Sequence, residues 1–304
     1  MTRRLCLIAL WLYPVAFRRR YEQELRALLD QEPTRPHTVL DLLRGALAAH
    51  LRPAAATSGF VDCADRVRTS ASGVLACWVV FAAAGFGFYK TTEDSSFTAA
   101  GRLHPLLGDA HTAIQALAVV ASVAVLVGAL PLVVLALTQA VRRPGLRHVV
   151  SVPVLAVILF AALTGALVAL AHSGHSHLPR IVGGIGFIAW GLAGLACGAV
   201  CVIGARTALF ALSPPRRLLV AAFACGTLVT AAMATMALAT TLYAIALPIA
   251  TPLARTPNGP LQAISTGTSL VVQLAVMVSA ASLALVATRR GWGAASQLRA
   301  SAPN

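Results

Sequence analysis

His172, His175 and His177 fall within six positions, separated by Ser and Gly, and three imidazoles so spaced on a short loop can converge on a zinc or copper ion. The only other stretch rich in such groups runs from 90 to 111, with Asp94, His104, Asp109 and His111, any of which could complete a tetrahedral set. Met233 and Met236 would suit Cu(I) if they approached it, and Cys197 and Cys201 share a helix face at i, i+4. Each feature also has a plainer reading. Histidines are at home in a solvated interfacial loop, where they charge below about pH 6.5, and free cysteines pack as small hydrophobes.

Chemistry beyond that is hard to build from these residues. General acid–base work needs a carboxylate or another base near the reacting atom, yet no Asp or Glu occurs after Asp109. No phosphate-binding loop, G-x-S-x-G elbow or H-E-x-x-H motif is present, so the expectation is a protein that is not an enzyme and needs no cofactor. Ion-coupled transport generally uses intramembrane Asp, Glu or His. Here the apolar runs offer neutral groups such as Gln115, Thr227, Thr230, Thr235, Thr241 and Gln273, which suit hydrogen bonds between helices.

The elements that must position these residues follow from solvent preference. With 304 residues, 58% of them hydrophobic and 11% charged, and a mean hydropathy of +0.79, the chain is too apolar for water and takes the bilayer as its solvent. The spacing predicts an all-α, polytopic six-helix transmembrane bundle with spans at about 70–89, 111–140, 149–171, 181–204, 218–246 and 264–288. Residues 1–68 form a small cytoplasmic helical head and connector, 69–290 the membrane domain, and 291–304 a polar cytoplasmic tail that follows Arg289 and Arg290. Pro131 is expected to kink the second span. Gly184, Gly191, Gly194 and Gly198 fall on one seam of the fourth span, and Gly194-x-x-x-Gly198 permits close approach of another backbone, within this chain or in a second copy.

The net charge of +14 points to the inner leaflet and not to nucleic acid, because most basic residues flank apolar runs. Twenty of the 24 Lys and Arg fall on one side when both termini are cytoplasmic, and only Lys90, Arg102, Arg180 and Arg255 on the other. The partners implied are the lipid bilayer and a cytoplasmic or membrane protein. Lys occurs once and Ala is heavily used, the composition of a protein from a GC-rich bacterium, which places the chain in a bacterial plasma membrane. The six cysteines lie in apolar runs and the N-terminal segment, so no disulfide framework is expected.

In the head, Leu5 to Tyr13 is apolar but short and is closely followed by Arg18, Arg19 and Arg20, which argues against a cleaved signal peptide. Phe17, Tyr21, Leu25 and Leu28 or Leu29 then recur at helical spacing, Pro33 and Pro36 close that helix, and Thr38 opens a second one to about Leu51. The face made by Phe17, Arg18, Arg20, Tyr21 and Leu25 either docks a partner or packs on the second helix. The pattern Tyr13-Pro14-x-x-Phe17-Arg18-x-Arg20-Tyr21-x-x-Glu24-Leu25, followed by Asp41-Leu42-Leu43-Arg44-Gly45, resembles the prefix segment ahead of some bacterial ABC-type permeases and of uncharacterised actinobacterial membrane proteins. The resemblance covers roughly residues 11 to 52, and the family's usual Gly after the Arg-Tyr pair is Glu22 here. It implies an accessory or regulatory membrane component with a docking head; the alternative is a channel-like or metal-handling protein using the histidine loop.

Overall fold

The computed structural model describes residues 63–143, 146–172, 180–212, 214–257 and 264–300, with side chains except at 170–172, 180–185, 187 and 298–300. Ahead of these it describes only residues 6, 10, 21, 23–25, 27–29, 38–39, 41–42 and 45. Seven α-helices follow in order from position 63: α1 (Cys63–Thr92), α2 (Ser95–Leu103), α3 (Pro105–Arg142), α4 (Arg147–His172), α5 (Arg180–Leu212), α6 (Arg216–Ala250) and α7 (Thr266–Ala300). A 3-10 turn, Pro252–Arg255, follows α6. No strand occurs among the described residues beyond a single bridge between Pro257 and Ser265.

Six of these helices, all but α2, are long and apolar enough to cross a membrane. They carry many large apolar side chains on their outer faces, including Leu126, Leu130, Leu159, Leu238 and Ile249, each more than half exposed. Water would penalise such a surface heavily, whereas hydrocarbon does not. The chain is accordingly built as a multi-pass integral membrane protein.

Helices α1, α3, α6 and α7 form the core, with α1 packed along α7 and α3 along α6. Both pairs are antiparallel, since short turns return the chain between ends. At mid-bundle, Val74, Cys77 and Phe81 of α1 meet Ala121 and Ala124 of α3, Val229, Met233 and Met236 of α6, and Met277 and Ala284 of α7. Alanine dominates this layer because lipid supplies no hydrophobic drive, so close backbone approach and dispersion must hold the helices. Helices α4 and α5 flank the core: α5 packs on α1 and α4 packs on α5. Only Leu209 of α5, and no residue of α4, is buried among those described.

The helices outrun the spans expected from hydropathy, for identifiable reasons. The expected polar connector ends early, because α1 begins at Cys63 and buries Ala64 and Val67 against Leu219, Phe223, Ala294 and Ala295. The expected tail is helical as well: α7 continues past Arg289 and Arg290 to Ala300, since Ala294 and Ala295 have that same cluster to pack on. The acidic break at 90–110 holds α2, whose Phe97 and Ala100 close over Phe88, Leu107 and Tyr243. Pro105 stands in the first turn of α3, where its missing N–H costs nothing. Pro131 lies inside α3, which runs as one 38-residue helix through it.

Candidate functional site

The two ends of the bundle differ in charge. Arg66, Arg68, Arg142, Arg143, Arg147, Arg206, Arg216, Arg217, Arg289 and Arg290 lie at one end, and Lys90, Glu93, Asp94, Arg102, Asp109 and Arg255 at the other. Cross-helix contacts support this arrangement, with the Cys63 thiol donating to Gln297 Oε1 at 3.3 Å and Arg68 lying 6.0 Å from the ring centroid of Phe210. Of the four carboxylates between 63 and 300, only Asp65 is at the arginine-bearing end, where it is paired with buried Arg68. Arg142, Arg143, Arg216 and Arg217 are exposed, and none of them has an ion pair among the described residues.

Near that end, α1, α3, α5 and α6 part to leave a cleft of about 180 Å³. Its walls are Ala71, Leu75 and Trp78 on α1, Ala124, Gly128 and Ala136 on α3, Ala205 and Ala208 on α5, and Ala222 and Val229 on α6, with Pro214 also in the lining. The lining is almost wholly apolar; Ser72 contributes a hydroxyl, already donated to the Thr69 carbonyl at 2.9 Å. Small residues make the cleft. At Gly128 a Cβ would stand 2.8 Å from Cys225 Cβ, so α3 and α6 touch closely there. Such a site can admit hydrocarbon but has no group with which to transform it.

At the opposite end, polar groups are spent on one another. Gln273 Nε2 donates to Thr91 Oγ1 at 3.1 Å and to Ser269 Oγ at 3.0 Å, tying α7 to α1. His111 lies 6.3 Å from the Tyr243 ring and 6.2 Å from Phe88, with Gln115 3.0 Å from its Nε2. Within the span, half-buried Trp190 donates its Nε1–H to Thr164 at 2.9 Å while its ring packs on Phe86 and Phe160.

The candidate ligands are not gathered. His172 closes α4, its side chain lying outside the described residues together with His175 and His177. Met233 and Met236 are sealed in the mid-bundle core. Among the described residues no three of His, Cys, Asp and Glu are grouped to hold a metal, and all six cysteines are free.

In the N-terminal segment, Phe17, Arg18 and Arg20 lie outside the described residues. Tyr21 is helical and half-buried, and Leu25, Leu29 and Val39 pack against buried Cys6, Leu10 and Leu42. Leu28 is exposed, so Leu29 takes the inward place in the stripe.

On the glycine seam, Gly194 faces the Phe160 ring of α4 and Gly198 faces Val79 of α1, where a Cβ would collide with Cγ1. Gly191 faces open space, and the surroundings of Gly184 lie outside the described residues. Other close approaches escaped the sequence reading: Gly108 against Gly101, Gly128 against Cys225, Gly204 against Pro153, and Gly291 under Phe223 and Ser70. Gly291 sits just beyond an Arg pair, where hydropathy had ended the span; only the small residues that follow it, Gly293, Ala294 and Ala295, hinted at continued packing.

Compared with protein-family models, curated proteins and solved structures, the chain matches none.

Proposed function

We propose that this chain is a non-enzymatic accessory or regulatory component of a bacterial plasma membrane, with both termini cytoplasmic and an N-terminal head that docks a cytoplasmic or membrane protein. The observation that carries the reading is the separation of charge between the bundle ends, ten arginines between 63 and 290 at one against Lys90, Arg102, Arg180 and Arg255 among the described residues at the other. The basic end belongs in the cytoplasm by the positive-inside rule.

The head then shares the cytoplasm with that end. Its apolar stripe is partly committed inward, with Leu25 and Leu29 against Leu10 and Leu42, which favours docking through the polar flank of the helix. Arg18 and Arg20 supply planar donors suited to carboxylates. Polar groups in the spans support a structural membrane domain, because Thr230, Thr288, Gln273, Trp190 and Trp292 all bond across helices.

Two measurements test this. Reporter fusions should place position 145 in the cytosol and position 176 outside; the reverse pattern removes the orientation. Pull-down from native membranes should lose a partner when Arg18→Gln and Arg20→Gln are combined and the head keeps its protease resistance. Unchanged recovery removes the docking role.

A further inference from the structure

We infer that the cleft between α1, α3, α5 and α6 is a lipid site, holding part of one acyl chain of an anionic phospholipid whose phosphate rests on Arg216 and Arg217. The inference depends on the six-span architecture and not on the docking head, so either can fail alone.

Shape selects a single chain. On α3 the lining runs from Ala124 to Ala136, about 18 Å at 1.5 Å per residue. About 180 Å³ along that length is a narrow slot, far too small for a helix of about 10 Å diameter and suited at most to part of a single hydrocarbon chain. The lining offers water almost nothing to bond, so an apolar occupant is favoured.

Charge selects the headgroup. Leu212 and buried Pro214 are among the lining residues, and Pro214 stands two residues before Arg216 and three before Arg217, which are exposed and have no ion pair among the described residues. These arginines occupy the first turn of the 35-residue α6, whose N-cap, Pro215, supplies no side-chain cap. The unsatisfied N–H groups of that turn add a partial positive charge directed at the same place. Arg206 lies next to Ala205 and Ala208 on the α5 wall. With Asp65 already taken by Arg68, no other carboxylate between 63 and 300 lies at this end, and the anionic headgroups of the inner leaflet are the counter-charge within reach of a bundle embedded in lipid.

The test uses the purified full chain in detergent, titrated with phosphatidylglycerol or phosphatidylcholine of identical acyl chains and read by native mass spectrometry. The wild-type protein should retain phosphatidylglycerol in preference. Combining Arg216→Gln with Arg217→Gln should weaken that lipid roughly 25-fold, the loss expected of two surface arginines, and bring it level with phosphatidylcholine. Ala208→Phe should displace both lipids by filling the cleft, and Ala129→Leu serves the same purpose should Ala208→Phe not fold. Equal retention of the two lipids by the wild type, retention of neither, or unchanged phosphatidylglycerol binding in the arginine variant overturns the assignment, as does full binding by a folded, filled cleft.

Discussion

Thr230 and Thr288 face each other across α6 and α7 with their hydroxyl oxygens 2.9 Å apart, both buried. Thr230 also lies 3.0 Å from the Gly226 carbonyl oxygen, to which it donates. A hydroxyl has one proton, so Thr230 donates to its own helix and accepts from Thr288. The pair therefore ties α6 to α7 and helps to set their register.

That direction of donation predicts an asymmetry. Thr288→Val leaves Thr230 satisfied and should cost about 0.6 kcal/mol, the mean for hydrogen bonds between membrane helices, whereas Thr230→Val strands a donor and should approach about 1.7 kcal/mol. Thermal unfolding in detergent should rank the two; equal losses would mean the donor runs the other way.

The glycine seam gives a sharper contrast. Gly198→Ala forces Val79 to move, since the new Cβ would meet its Cγ1, and overpacking of this kind costs about 1–3 kcal/mol. Gly191→Ala meets nothing within 4 Å and should gain roughly 0.5–1 kcal/mol through helix propensity. Melting temperatures in the same detergent should move in opposite directions.

Gln273 ties α7 to α1 through its amide nitrogen, yet its Oε1 is buried with no partner among the described residues. An orphaned acceptor costs about 1–3 kcal/mol, comparable to the two bonds gained. Gln273→Leu should therefore change stability by less than about 1 kcal/mol in either direction. A larger loss would show that the two donated bonds outweigh the stranded oxygen.

Leu42 is 9% exposed and packs with Cys6 and Leu10, while Leu28 is 55% exposed. Leu42→Ala should open the N-terminal segment at a cost of about 2–5 kcal/mol and expose it to limited proteolysis; Leu28→Ala should leave the digestion pattern as it was.

The sequence by itself determined the six membrane helices, because an uncharged run long enough to span hydrocarbon is a one-dimensional property that burial cannot conceal. The separation of arginine from acid is likewise written along the chain. The helix ends were less visible: Ala64 and Val67 ahead of the first span, and Gly291 to Ala295 beyond the last, are helical because each side of the Phe223 cluster needs the other. Only the tertiary structure decided which four helices make the core, that Gly194 and Gly198 meet different neighbours, and that α1, α3, α5 and α6 leave a cleft between them. In lipid an inward leucine and an outward one are equally comfortable, so these spans carry no amphipathic stripe to point them. Their neighbours are chosen by steric fit between small residues and by a few hydrogen bonds, such as that between Thr230 and Thr288, which exist only once the helices are side by side.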